Sequence, residues 1–103
     1  MCGITGIINL NKTPVNKKLL KKMNDIIHYR GPDDEGFYYD DSNGIGFGHR
    51  RLSIIDLSPL GHQPMSSYNE NLWITYNGEV YNYLELIEEL KSKGYTFKSK
   101  SDT

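Results

Sequence analysis

The aromatic run Phe37-Tyr38-Tyr39 and the run Ile45-Gly46-Phe47-Gly48-His49 flank Asp40-Asp41-Ser42-Asn43-Gly44. An Asn-Gly pair between such flanks is a strong signal for an antiparallel hairpin, so the middle of the chain is committed to antiparallel sheet. The second strand is expected to continue through Arg50, Arg51, Leu52, Ser53, Ile54 and Ile55 to Asp56. Ile4 to Leu10, broken by Gly6, reads as a further short buried strand in which glycine admits another backbone closely. Thr13-Pro14 reads as a helix cap with proline at the first turn. Val15, Leu19, Leu20, Met23, Ile26 and Ile27 then recur at helical spacing, with Lys17, Lys18, Lys21 and Lys22 on a solvated face. Arg30-Gly31-Pro32-Asp33 ends that helix near Tyr29.

The second half follows the same grammar. Ser58-Pro59-Leu60-Gly61-His62-Gln63-Pro64 is a loop by its proline and glycine content. Leu72 to Tyr76 reads as a strand that ends at Asn77-Gly78-Glu79. Asn82 is placed to cap a helix with Glu85 three residues on, Leu84, Ile87 and Leu90 forming its buried stripe and Gly94 its stop. Tyr95 to Lys98 reads as a last strand. Helices interspersed with locally joined antiparallel strands make the expected class α+β, and 103 residues suffice for one domain at most.

Twelve basic and thirteen acidic side chains leave a net charge of −1, which gives no electrostatic case for nucleic acid or an anionic membrane as partner. No apolar run approaches the roughly 20 residues of a membrane helix. The apolar start is too short, and too poor in preceding basic residues, for a signal peptide. One cysteine makes no internal disulfide, and no metal-ligand spacing occurs among the cysteine and histidines. A reducing, cytoplasmic setting is the expectation.

That single cysteine, Cys2, follows the initiator methionine directly. Removal of Met1 leaves a thiol and a free α-amine on one residue. An α-amine has a reference pKa of roughly 7.7–8.0, so it can take the proton of an attacking thiol near neutral pH. A lone cysteine is more often a small buried hydrophobe, and only the remaining chain can raise the catalytic reading. Arg51 and Asn77-Gly78-Glu79 supply what acyl transfer needs beside a nucleophile, namely oxyanion donors and charged groups that orient a substrate. Taken singly, Asn77-Gly78 is equally a turn between strand and helix, Arg51 a surface cation and Glu79 a solvated acid.

Together, Met1-Cys2-Gly3-Ile4-Thr5-Gly6, Arg30-Gly31-Pro32-Asp33, His49-Arg50-Arg51-Leu52-Ser53-Ile54-Ile55-Asp56, Gly61-His62-Gln63-Pro64, Tyr76-Asn77-Gly78-Glu79-Val80-Tyr81-Asn82 and Ser101-Asp102 resemble successive signatures of one family. It is the glutaminase domain of glutamine-hydrolysing asparagine synthetases, a class II, N-terminal-nucleophile glutamine amidotransferase. The resemblance covers residues 1–103 and implies an αββα sandwich, truncated here, with outer helices over antiparallel sheets. It implies that Cys2 attacks the glutamine side-chain amide, with Asn77 and Gly78 as the oxyanion hole. Arg51 is implied to hold the substrate α-carboxylate, Glu79 and Asp102 its α-ammonium, and backbone between Leu52, Ser53, Ile54 and Ile55 to line the pocket. Arg30 and Asp33 are expected to brace the site without a chemical step.

The family's domain is longer than this chain and is followed by an ATP-using synthetase domain. The expectation is therefore an N-terminal part of a glutaminase with no metal and no cofactor of its own, ATP and magnesium belonging to the absent domain. Its partners are expected to be the substrate glutamine, the remainder of the glutaminase and the synthetase domain, with a homodimer of the full-length protein. A half-sandwich leaves apolar strand faces uncovered, which implies poor solubility or association. Two alternatives stay open: a catalytically inactive, glutamine-binding remnant, and an amidotransferase serving a different acceptor.

Overall fold

The computed structural model describes residues 1–103. Three strands, β1 (Gly3–Ile8), β2 (Asp34–Asp40) and β3 (Ile45–Arg51), form an antiparallel sheet in the order β1-β3-β2. A second, two-stranded antiparallel sheet pairs β4 (Met65–Ser66) with β5 (Trp73–Ile74). The helices are α1 (Lys17–Ile26) and α2 (Tyr83–Ser92), and the class is α+β as expected. The β2–β3 hairpin is the one the Asn-Gly signal called for. Asp40 ties its own loop by accepting from the Ser42 hydroxyl and from both the backbone and side-chain N–H groups of Asn43, and Gly44 takes a φ of 65°.

Side-chain alternation along β3 decides what lies on each face. Gly46, Gly48 and Arg50 face α1. A Cβ on Gly46 would stand 3.0 Å from Val15 and 3.1 Å from Leu20, so the bare backbone is what lets α1 settle on the sheet. Val15 and Leu20 are the only buried apolar side chains beneath it, joined by the fully buried Asn24. Asn24 accepts from the Thr5 hydroxyl at 3.2 Å and donates to the Glu35 carboxylate and the His49 carbonyl. Arg50 fastens the end of the helix. It donates to the Asn24 carbonyl at 3.1 Å and pairs with Asp25 at 2.6 Å and Glu35 at 2.9 Å. The opposite face carries Phe47, His49 and Arg51, and Tyr38 on that face stacks on Trp73 of β5 at 4.2 Å.

Several boundaries differ from the sequence reading. The cap of α1 is Asn16, whose side chain accepts from the Leu19 N–H at 3.0 Å; Thr13-Pro14 lies outside because the chain first drops Val15 into the core. Leu19 and Ile26 remain exposed at 49% and 75%, since a single sheet covers only one side of the helix. β1 is an edge strand, with Ile4 and Ile8 half or more exposed rather than buried. β3 stops at Arg51 instead of reaching Asp56, β5 is shorter than Leu72–Tyr76, and Tyr95–Lys98 forms no strand, although Thr96, Phe97 and Lys98 lie beside Met65 and Ser66 of β4. Asn82 precedes α2 without a side-chain cap bond, and α2 buries none of its residues; Leu84 is 65% exposed because nothing in the chain lies against it.

The Arg30-Gly31-Pro32-Asp33 loop lies directly on the end of β3. A Cβ on Gly31 would sit 2.5 Å from the Arg50 carbonyl group and 2.6 Å from the Arg51 nitrogen, and these are backbone atoms that cannot swing aside. Gly31→Ala is therefore expected to lower unfolding free energy by about 1–3 kcal/mol, the usual cost of forcing volume into a packed site. Urea unfolding of the two proteins measures it; equal midpoints would contradict this packing.

Candidate active site

β1 and β3 pair with Gly3 opposite Arg50. One step further along both strands stand Cys2 and Arg51, so alternation sends both side chains to the face opposite α1. Here the ladder gives way to the thiol. The Leu52 N–H donates to Cys2 Sγ at 3.3 Å, and the thiol in turn lies 3.7 Å from the Leu52 carbonyl oxygen. This exchange explains why β3 ends where it does. The Arg30 guanidinium donates to the Cys2 carbonyl at 3.2 Å, while Asp33 accepts from the Ser53 N–H at 2.8 Å and donates its own N–H to the Arg51 carbonyl at 3.0 Å. Arg30 thus ties down the start of β1 and Asp33 the end of β3.

A cavity of about 100 Å³ opens beside the sulfur, lined by Met1, Cys2, Arg51, Leu52, Ile54, Ile55, Asn77, Gly78, Glu79 and Asp102 among others. Of the residues expected in the site from sequence, Ser53 alone is not on this wall; its N–H is spent on Asp33. Arg51 is buried and fixed, with Nη1 donating to the Ser58 carbonyl at 2.8 Å and Nη2 to the Asp56 carbonyl. Guanidinium has five N–H donors, so this anchoring leaves others free to meet an anion in the cavity.

Sequence reasoning gave no role to Asp56 or Gln63, although both stand in the quoted motifs. Each lines the cavity. Asp56 accepts from the Ser58 N–H at 2.8 Å and from the Lys100 N–H at 2.9 Å, which draws the last residues of the chain back over the site. Hydrogen bonds from the Ser58 side chain, then from the Lys100 and Ser58 backbones, lower its pKa to about 2, so it stays ionised throughout the neutral range. Asp102 accepts from the Val80 N–H at 2.8 Å, closing the wall that begins at Asn77.

A family model described as a glutamine amidotransferase domain matches residues 1–103. The chain belongs to that family. The α+β arrangement of helices on antiparallel sheets is that of an N-terminal-nucleophile amidotransferase in part. Among curated relatives, the chain is 51% identical to asparagine synthetase [glutamine-hydrolyzing] 1 of Bacillus subtilis over 100% of its own length and 16% of that protein. It is 44% identical to asparagine synthetase [glutamine-hydrolyzing] 2 of the same organism over 99% of itself and 13% of the relative. It is also 37% identical to amidase chry2 of Gibberella zeae over 91% of itself and 16% of the relative. The chain therefore spans less than a fifth of the length of each. No helix of this amidotransferase domain is long and apolar enough to cross a membrane.

Behind the cavity, on the same face of β3, His49 is fully buried, with Nδ1 2.9 Å from the Thr75 hydroxyl and Nε2 without a partner. Burial pushes its pKa down to about 4, the nearby Asp34 carboxylate opposing and the His62 and Arg51 charges assisting. A folded pKa below the ordinary value of 6.5 means that the unfolded chain binds the proton more tightly. Stability is then full above pH 6.5 and is lost as pH falls from 6.5 towards 4. Allowing for solvent screening, the loss is on the order of 2 kcal/mol. Thermal unfolding between pH 7 and 4.5 should show it, and His49→Asn, which cannot titrate, should flatten that part of the profile. An unchanged slope in the variant would assign the loss to other groups.

Proposed function

We propose that this domain hydrolyses glutamine to glutamate and ammonia. Met1, which lies 71% exposed at the mouth of the cavity, is removed, and the α-amine of Cys2 becomes free. The amine takes the thiol proton as the sulfur attacks the carboxamide carbon. The tetrahedral oxyanion is held by the Asn77 side-chain amide and the Gly78 N–H. The C–N bond then breaks, the same amine returns the proton to the leaving nitrogen, and ammonia departs from a γ-glutamyl thioester. Water cleaves the thioester to glutamate and regenerates the thiol. The substrate α-carboxylate pairs with Arg51, a bidentate task suited to guanidinium. Its α-ammonium lies between Glu79 and Asp102, and the backbone from Leu52 to Ile55 lines the channel, Ser53 bracing from behind.

The observation that carries this reading is the convergence of the Cys2 sulfur, Arg51 and Asn77-Gly78-Glu79 on one cavity from three separate stretches of chain. In this account the chain is the N-terminal part of a glutaminase domain, without cofactor or metal of its own. ATP and magnesium act in a separate synthetase domain that spends the ammonia on aspartate, in a cytoplasmic, homodimeric full-length protein. Exposed Ile4, Ile8 and Leu84 are surfaces for the remainder of the glutaminase to cover. The likeness to amidase chry2 favours one second reading, the same glutaminase chemistry serving another acceptor. Incubation of the full-length protein with glutamine, with glutamate and ammonia measured in equal amounts, tests the hydrolysis. Omission of aspartate or ATP separates it from the acceptor step. Binding without release of ammonia would leave only a glutamine-binding remnant.

A further inference from the structure

We infer that Gln63 is a positioning residue for the oxyanion turn, acting through the backbone that leads into Asn77 and Gly78. The inference rests on the reading of those two residues as oxyanion donors. β5 ends at Ile74, so Thr75 and Tyr76 approach the turn with no strand ladder to hold them. Two buried polar side chains do so instead. Gln63, 6% exposed, accepts the Tyr76 N–H on Oε1 at 2.7 Å, and His49 holds the Thr75 hydroxyl at 2.9 Å. On the far side of the turn the Asp102 carboxylate accepts the Val80 N–H at 2.8 Å.

The Gln63 carboxamide spends its other end on the same wall. Nε2 donates to the Thr103 hydroxyl at 3.2 Å, beside Asp102. One buried amide thus links the strand that delivers the oxyanion donors to the segment that carries a proposed ammonium ligand. A carboxamide does this at neutral charge, with its acceptor on one atom and its donors on another. Oxyanion donors act through their preset position, and small displacements are costly.

The test compares Gln63→Met, Asn77→Ala and the double variant of the full-length protein in glutamine hydrolysis. Methionine keeps the volume and removes both hydrogen bonds. The expected result is a fall in kcat of about 10-fold for Gln63→Met, the worth of one lost hydrogen bond, with KM for glutamine changed less than about two-fold. In the Asn77→Ala background the same substitution should cost clearly less than 10-fold, because the share of its effect that passes through the Asn77 amide is already gone and only the Gly78 N–H is left to displace. A Gln63→Met protein with unchanged kcat beside a crippled Asn77→Ala protein overturns the positioning role and leaves the oxyanion reading intact. Additive losses in the double variant overturn it as well. Unchanged kcat in Asn77→Ala overturns the oxyanion reading itself. Should Gln63→Met fail to fold, Thr103→Val removes only the far anchor; a kcat lowered about three-fold is expected, and no change overturns the proposal.

Discussion

Cys2→Ala is expected to abolish glutamine hydrolysis, with a loss on the order of 10⁴–10⁶ in turnover, the scale seen when an enzyme loses its nucleophile. The sulfur is the only group at the cavity able to form the thioester, and no neighbouring hydroxyl or amine occupies its place on the Leu52 backbone. The variant should still fold. Cys2 is half-buried and its side chain hydrogen-bonds only the Leu52 backbone, so stability should change by less than about 1 kcal/mol. Glutamine should still bind, because Arg51, Glu79 and Asp102 are untouched, and calorimetry with the inactive variant measures this. Residual turnover above about one part in a thousand of the parent rate would show that another group performs the attack.

Asn77→Ala should lower kcat by about 10²–10³ while leaving KM for glutamine within a few-fold, because a donor aimed at the oxyanion contributes in the transition state and little before it. The side chain is half-buried on the cavity wall and has no hydrogen-bond partner within the protein, so its loss strands no other group. Arg51→Lys offers the contrast. A point charge in place of the fork weakens grip on the substrate carboxylate, and its effect should fall mainly on KM. A KM defect in Asn77→Ala with kcat intact would assign Asn77 to substrate binding instead.

The hairpin was legible from residues 37 to 49 because turn chemistry and flanking strands are local properties, and α1 was legible from its repeat for the same reason. The continuation of β3 was misread. Leu52, Ser53, Ile54 and Ile55 have the composition of a strand, yet a strand needs a partner, and the Cys2 sulfur takes the Leu52 N–H where a backbone carbonyl would have stood. The stripe of α2 failed in the same way: composition announces a surface to be covered, not the element that covers it. Arg51, Asn77 and Glu79 stood out as polar groups suited to acyl transfer and Asp102 through motif resemblance; all four line the cavity, and register explains why Cys2 and Arg51 share a face. Asp56 and Gln63 were quoted but unread, since a polar residue in a loop carries no local sign that it will be buried and paired.

The central claim is that sulfur and free amine act from one residue. Intact-mass and N-terminal peptide mass spectrometry on the active protein decides it. The account predicts a chain that begins at Cys2 with an unmodified amine, and activity that scales with the fraction so processed. Full activity in material whose Met1 is retained, or whose amine is acetylated, would contradict it.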